Sequence, residues 1–244
     1  MSEILLPGET LTTVNDGIRL LQNPNGLTYG TDAFLLASFL RRVPHGTGLE
    51  IGCGSGIISL LLAKRQKLKH IHALEVQAYY AELAKRNIRL NGLEDTIEVF
   101  HADARSARNI YDVVFMNPPY MKVDSGKRNR DDGKFAARHE VFGDIGELTA
   151  AAARCLKSGG SFYAVYRPDR MMDLLAAMRD NRMEPKRLCT VHADRFHKPS
   201  LLLVEGRRDG SSGCDYLRPL FLSEPDGSPT EEAKIIYESG NWIE

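Results

Sequence analysis

The residues best suited to chemistry form the segment 117–120 (NPPY), which follows an apolar run at 111–116. Two consecutive prolines fix φ and carry no N–H, so the backbone there is extended and its carbonyl oxygens remain available as acceptors. The side-chain oxygen of Asn117 and the carbonyl of Pro118 could each accept one hydrogen of a planar amine. They would stabilise such a nitrogen as it becomes pyramidal while attacking an electrophile. Tyr120 offers a ring on which an extruded base can stack.

A second candidate is the glycine-rich segment 52–56 (GCGSG), which we expect between the first core strand and a helix. Glycines let a ligand approach main-chain N–H groups closely. A nucleoside-triphosphate loop would end in Gly-Lys-Ser/Thr, whereas Ile57 follows here, so that ligand class is disfavoured. A dinucleotide fingerprint needs glycine at position 57, which is Ile here, so NAD is a less favoured ligand but is not excluded. The G-x-G-x-G spacing behind Glu50 resembles motif I of S-adenosylmethionine-dependent methyltransferases, in which an acid near a sulfonium and an ammonium is favourable.

Two acidic residues follow the next two predicted strands. Glu75 lies about 20 residues beyond the glycine loop, the interval at which a carboxylate accepts hydrogen bonds from both ribose hydroxyls. Asp103 follows the strand at 97–100 and could accept from the amino group of the cofactor's adenine. An ordinary solvated acid, or an aspartate that caps a turn, is the alternative interpretation.

The elements that must position these residues alternate along the chain. Apolar runs interleaved with helical stretches predict a parallel sheet with helices on both faces. Five such runs are followed by two that we expect to pair as an antiparallel hairpin, giving a seven-stranded, mostly parallel sheet. The predicted strands are Gly48–Ile51, His70–Glu75, Ile97–Phe100, Val113–Met116, Ser161–Tyr166, Arg187–Ala193 and Leu201–Glu205.

The segment before the core predicts a small cap. Residues 11–22 alternate around Asn15-Asp16-Gly17, which favours a β-hairpin. Thr31 or Asp32 is expected to cap a helix over 33–42. At the other end, residues 209–215 resemble a flexible link to a loosely docked tail.

The composition, 43% hydrophobic and 26% charged over 244 residues, is that of one globular domain of ordinary size. The apolar runs are far shorter than the roughly 18 residues that span a bilayer, and residues 1–9 show no export signal. We therefore expect a cytoplasmic protein. The four cysteines lie far apart without a Cys/His cluster, so neither a metal site nor a disulfide framework is predicted.

The formal net charge of zero conceals an uneven distribution. Residues 209–244 hold eight acidic residues against Arg218 and Lys234, so the preceding part of the chain is cationic. This distribution is compatible with a polyanionic partner without being evidence for one.

The glycine loop, Glu75, Asp103 and the NPPY segment together resemble amino-methyltransferases. Segments 29–33 (YGTDA), 137–140 (ARHE) and 229–231 (PTE) further resemble the bacterial tRNA (adenine-N6)-methyltransferase family, which acts on valine tRNA beside its anticodon. The resemblance covers nearly the whole chain. It implies a Rossmann-like class I methyltransferase fold, S-adenosyl-L-methionine as cofactor, tRNA as partner and methylation of an adenine N6.

On this basis we divide the chain into an N-terminal β-hairpin and helix cap (1–45), a methyltransferase core (46–208) and a C-terminal tail packed on the core (209–244). The predicted catalytic residues are Asn117, Pro118, Pro119 and Tyr120. The predicted cofactor-binding residues are Thr31, Asp32, Glu50, Gly52, Cys53, Gly54, Gly56, Glu75, Val76, Asp103, Ala104 and Asn117. A helix cap is the alternative role for Thr31 and Asp32.

A basic stretch adjoins the NPPY segment and is expected at the mouth of the site, where it would contact RNA phosphates. Its predicted RNA-binding residues are Lys122, Lys127, Arg128, Arg130, Arg138 and His139. The alternatives are a solvated charged loop and, for His139, a helix cap.

Other functions stay open at this stage. A glutamine amide of a release factor fits the same two acceptors, and so does the N2 amine of a ribosomal RNA guanine. A protein that binds the cofactor without catalysis would keep the glycine loop but would not need Asn117. The sequence does not decide between a monomer and a homodimer.

Overall fold

The computed structural model describes residues 5–24, 29–118 and 143–243. In chain order the strands are β1 Thr10–Val14, β2 Ile18–Gln22, β3 Val43–Ile51, β4 Leu68–Glu75, β5 Ile97–His101, β6 Tyr111–Met116, β7 Leu156–Tyr166, β8 Met183–His192, β9 Leu201–Arg208, β10 Asp215–Tyr216 and β11 Leu220–Phe221. The helices are α1 Thr31–Phe39, α2 Ile57–Lys64, α3 Ala78–Leu90, α4 Ile145–Arg154, α5 Met171–Asp180 and α6 Glu231–Ser239.

The central sheet has the order β10-β8-β9-β7-β6-β3-β4-β5. Its strands run parallel except for β9, which is antiparallel to β7 on one side and to β8 on the other. The mostly parallel sheet and its C-terminal antiparallel hairpin are thus confirmed. Within the described residues, two short strands of the tail, β10 and β11, extend the sheet along β8.

The N-terminal hairpin is also confirmed. Strands β1 and β2 pair antiparallel, and Asp16 in the connecting turn adopts a positive φ of 61°. Asn87 of α3 fixes the hairpin to the core, since its side chain accepts from the Leu21 N–H at 2.7 Å and donates to the Leu21 carbonyl at 3.0 Å.

Helix α1 differs from its prediction at both ends. Its N-cap is Gly30, without a side-chain cap, so the capping role expected for Thr31 or Asp32 is wrong. The helix ends at Phe39 because the buried Lys67 ammonium donates to the carbonyls of Ala37, Ser38 and Leu40 at 2.7–2.8 Å. These bonds satisfy acceptors that have no partner inside the helix.

The C-terminal tail is packed on the core and not loosely docked. Helix α6 buries Ala233 and Ile236, each 1% exposed. The Ser38 hydroxyl donates to the Ile236 carbonyl at 3.3 Å, and the Trp242 ring lies 4.9 Å from that of Phe39. The tail therefore covers α1. Among the described residues, no helix has the length and apolar character needed to cross a bilayer.

We predict that Lys67→Met destabilises the protein. Methionine retains an apolar stem but leaves three carbonyl oxygens at the end of α1 without their donor. Burial lowers the pKa of Lys67 to about 7, so the variant also loses the cost of burying an ammonium, and the free energy of unfolding should fall by about 1–3 kcal/mol. Urea denaturation measures this change. Lys64→Met, at an exposed position of α2, is the control and should change stability by less than about 0.5 kcal/mol. An equally small effect at Lys67 would contradict the assigned role.

Candidate active site

The register of the parallel strands brings the predicted site residues to one edge of the sheet. Ile51 of β3 pairs with Met116 of β6, so the glycine loop and Asn117 leave the sheet side by side, about 5 Å apart. On its other side Ile51 pairs with Leu74, which immediately precedes Glu75. The carboxyl ends of β3, β4 and β6 therefore form one continuous site.

The glycine loop is bound to β4 and open on its other face. The N–H groups of Gly52 and Cys53 donate to the Leu74 carbonyl at 2.9 and 3.0 Å. Gly52 and Gly54 have φ values of 72° and 53°, a region that favours glycine. A Cβ at either position would meet no heavy atom within 4 Å. A ligand can therefore reach this backbone.

Glu75 lies against the loop, as the sequence predicted. Its Oε2 accepts from the Gly54 N–H and its Oε1 from the Gln77 N–H, both at 2.9 Å. A carboxylate oxygen can accept more than one hydrogen bond. Glu75 therefore fixes the loop and retains capacity for the hydroxyl groups of a ribose.

Glu50 is directed at helix α2. Its side chain is 1% exposed and accepts from both the N–H and the hydroxyl of Ser59. It thereby supplies a cap that Gly56, the N-cap residue of α2, lacks. Burial, assisted by the nearby Glu75 carboxylate, raises the pKa of Glu50 to about 8. Direct contact between Glu50 and a cofactor stays a prediction.

Three further residues predicted to bind the cofactor, Cys53, Val76 and Ala104, are buried or lie in contact with other parts of the protein. Burial and the charges of Glu50 and Glu75 raise the pKa of the Cys53 thiol, which makes it a poor nucleophile. The Val76 carbonyl lies 3.0 Å from Nε2 of His101. Ala104 is buried at the start of a short 3-10 turn.

Asp103 is held by a residue that sequence reasoning missed. Its carboxylate accepts from the Arg105 N–H at 2.8 Å and pairs with the Arg105 guanidinium at 2.7 Å. This guanidinium lowers the pKa of Asp103. The two-residue spacing suits such a pair, but the local sequence does not distinguish it from a contact with adenine, which stays a prediction.

Asn117 is oriented by Asp32. The amide Nδ2 of Asn117 donates to Oδ2 of Asp32 at 2.9 Å, and Oδ1 of Asp32 accepts from the Ala33 N–H at 2.9 Å. The Asn117 nitrogen therefore faces α1, and its oxygen is the acceptor that remains for a substrate. Sequence reasoning assigned Asp32 to the cofactor or to a helix cap and did not anticipate this contact.

The start of α1 is supported in turn by the tail. Burial raises the pKa of the Tyr237 hydroxyl, which lies near Thr31 and Asp32. The rings of Phe34 and Tyr237 lie 5.8 Å apart. Helix α6 thus supports the turn that contains Asp32.

Part of the predicted site lies outside the described residues: Pro119, Tyr120, Lys122, Lys127, Arg128, Arg130, Arg138 and His139. Pro118 is described and is buried at the end of β6. Within the ranges that the structure describes, no three metal-ligating side chains are grouped.

Comparison with known proteins decides the family. Residues 25–180 match the methyltransferase small domain. The chain is 30% identical over 181 residues to the tRNA1(Val) (adenine(37)-N6)-methyltransferase of Phocaeicola vulgatus, covering 72% of this chain and 74% of that protein. With the enzyme of the same name from Dyadobacter fermentans it shares 31% over 200 residues, covering 81% and 82%. The chain belongs to the tRNA1(Val) (adenine(37)-N6)-methyltransferase family.

Solved structures show that this family member has the class I Rossmann-like fold. A predicted O-methyltransferase from Agrobacterium tumefaciens superimposes with a TM-score of 0.70 at 20% identity, covering 87% of this chain and 98% of that one. A methyltransferase from Pyrococcus furiosus gives 0.60 at 18% identity, covering 79% and 89%. The expected fold class is confirmed.

We predict that Glu50→Gln removes a pH dependence of stability. Because the pKa of Glu50 is about 8 when folded and near 4.5 when unfolded, folding takes up a proton between these values. Stability from this group therefore declines as pH rises through that window, whereas a glutamine does not titrate. The variant's free energy of unfolding relative to wild type should rise between pH 5 and 8, by at most about 4 kcal/mol.

Urea denaturation at a series of pH values measures this difference. Glu82→Gln, on the exposed face of α3, controls for the loss of one carboxyl group. Parallel pH profiles for wild type and Glu50→Gln would show that Glu50 is not protonated on folding.

Proposed function

We propose that this protein transfers a methyl group from S-adenosyl-L-methionine to the exocyclic N6 amine of an adenine in tRNA, namely adenine 37 of tRNA1(Val). The observation that carries the proposal is the position of Asn117 beside the glycine loop, with its amide nitrogen bound by Asp32. This arrangement presents an amide oxygen next to a backbone that is open to a ligand. The relatives' names supply the nucleic acid and the nucleotide.

The residues at the carboxyl ends of β3, β4 and β5 fit the cofactor. The open faces of Gly52 and Gly54 admit it to the backbone, and the Glu75 carboxylate can accept from its ribose hydroxyls. Asp103 and Ala104 follow β5, where they would border the adenine ring. When bound, S-adenosylmethionine would supply an electrophilic methyl group for transfer to the amine nitrogen, with S-adenosylhomocysteine and a proton as the other products.

The contribution of the protein is orientation and charge stabilisation. The Asn117 oxygen and the Pro118 carbonyl would each accept one hydrogen of the amine, which directs its lone pair out of the plane of the base. These acceptors also stabilise the positive charge that develops on nitrogen. Alignment of the reacting atoms lowers the barrier further, by up to about 7–11 kcal/mol in favourable cases.

The same two oxygens would also suit a glutamine amide or the N2 amine of guanine, so the geometry alone does not select adenine. Membership in the adenine-N6 family favours adenine in tRNA. We further propose the division into cap (1–45), core (46–208) and tail (209–244). The packing of the hairpin on α3 and of α6 on α1 supports it.

We predict that Asn117→Ala lowers kcat for tRNA methylation by about 10²- to 10³-fold, because the developing charge loses one stabilising acceptor. The assay uses methyl-labelled S-adenosylmethionine with total tRNA, followed by nucleoside analysis for N6-methyladenosine. Cofactor affinity should change much less than kcat. Asn241→Ala, in an exposed part of the tail, is the control.

A parallel assay supplies a release factor together with the tRNA, and three outcomes of the two assays would overturn the proposal. They are methyl label in a release factor and not in tRNA, N2-methylguanosine as the product, and full turnover by Asn117→Ala. Total tRNA that lacks the modification, taken from cells without the protein, gives the cleanest substrate for the comparison.

We predict that Asp32 acts on turnover through Asn117. Asp32→Ala removes the acceptor that orients the Asn117 amide, so kcat should fall by about 10- to 100-fold, while KM for tRNA changes less than threefold. Asp32→Asn still offers an oxygen to Nδ2 without the charge, and its kcat should lie between those of wild type and Asp32→Ala. Equal losses in kcat and in cofactor affinity would instead assign Asp32 to the cofactor.

A further inference from the structure

The edge of the sheet that carries Asn117 extends beyond the strands that precede the proposed cofactor-binding residues. The cofactor residues follow β3, β4 and β5, on one side of β6, whereas β7, β9 and β8 lie on the other side. Strand β8 runs in the same direction as β7, since both are antiparallel to β9. The loop that follows β8, residues 193–200, therefore lies on the same edge as Asn117. Three strand spacings, about 15 Å, separate β8 from β6.

This β8–β9 loop exposes an aromatic ring beside a cation. The Phe196 residue is 75% exposed. Lys198 is exposed and has no ion-pair partner among the described residues. Arg195 is more constrained, since its guanidinium lies 3.8 Å from the Glu224 carboxylate. An exposed phenyl ring lacks the roughly 1.5–3 kcal/mol of stabilisation that its burial would give, so fold stability does not account for this ring.

The loop is held in one conformation by its own hydrogen bonds. Oδ1 of Asp194 accepts from the N–H groups of Phe196 and His197 at 2.8 and 3.1 Å, and it lies 2.7 Å from the His197 ring. The His197 carbonyl lies 2.8 Å from Nδ1 of His192, and the Ser200 N–H donates to Val191 at 2.8 Å. The phenyl ring therefore projects from an ordered turn.

Two arginines on this part of the edge are paired with carboxylates. Arg167 and Arg170, which follow β7, pair with Asp169 and Asp173. Phe196 and Lys198 are exposed and available to a ligand on this side of Asn117. A base stacks on an exposed aromatic ring whatever its identity, and a lysine neutralises a phosphate.

We propose that the β8–β9 loop is a second contact surface for the tRNA, in which Phe196 stacks on an unpaired base and Lys198 binds a backbone phosphate a few nucleotides from the target adenine. The choice of RNA as occupant rests on the proposed function. A ring and a cation on the edge that receives the target base complement single-stranded nucleotides flanking that base.

The test compares Phe196→Ala and Lys198→Ala with controls at the opposite edge of the sheet. Ile110, 52% exposed, precedes β6, and the exposed Lys69 lies near the start of β4, so Ile110→Ala and Lys69→Ala remove similar groups far from the site. Fluorescence anisotropy measures the Kd of each full-length variant for unmodified tRNA1(Val) transcript over a range of salt concentrations. Calorimetry measures the Kd for S-adenosylmethionine.

Phe196→Ala should weaken tRNA binding by about 5- to 150-fold, the range expected for one stacked base. Phe196→Tyr should restore binding, because it retains the ring. Lys198→Ala should reduce the slope of log Kd against log salt by about 0.7–0.9, the loss of one phosphate contact. The two control variants should match wild type, and cofactor affinity should be unchanged in all of them.

Unchanged tRNA affinity in both loop variants would overturn the inference. So would the loss of self-association on sedimentation in Phe196→Ala without an effect on tRNA, since that result would assign the ring to a protein contact. The proposed function is tested separately. A wild-type protein that binds tRNA through this loop but transfers no methyl group would refute the function and retain the surface, whereas normal methylation by both loop variants with unchanged tRNA affinity would refute the surface alone.

Discussion

The parallel pairing of β3 with β6 is the constraint on which the site depends. In the register that joins Ile51 to Met116, the next residue on each strand is a site residue, and the glycine loop and Asn117 leave the sheet together. Side chains alternate along a strand, so a slip of one residue would turn each of them to the other face of the sheet. The buried positions of Leu49 and Val114 make such a slip costly. Packing of these buried side chains therefore fixes the distance between the glycine loop and Asn117.

Orientation is supplied by elements outside the strands. An asparagine amide can rotate about its last bond, and only a partner on the nitrogen decides where its oxygen points. Asp32 is that partner, and it sits on the first turn of α1, which the tail supports through Tyr237. Glu50 and Lys67 act similarly on helix ends, since one caps α2 and the other terminates α1. Buried ionisable side chains thus hydrogen-bond the ends of these two helices.

Sequence patterns predicted the features that are local. Alternation and glycine spacing indicated the hairpin, the parallel sheet, the loop after β3 and Glu75 beside it. They did not predict the partner of Asp32, which lies 85 positions away in the sequence, or the end of α1, which depends on Lys67. Neither contact leaves a periodic signal, because each joins distant segments through one side chain. How closely the tail docks was not evident from its sequence for the same reason, since its few apolar residues pack on a surface of α1 that is distant in the chain.

The late position of α6 in the chain has a consequence for biosynthesis. Domains fold progressively as they emerge from the ribosome, and the strands that carry the glycine loop and Asn117 are made long before residues 231–239. A nascent chain can therefore complete its sheet while the turn that holds Asp32 still lacks the packing of Tyr237. The turn that holds Asp32 would then gain this packing only after residues 231–239 have been synthesised.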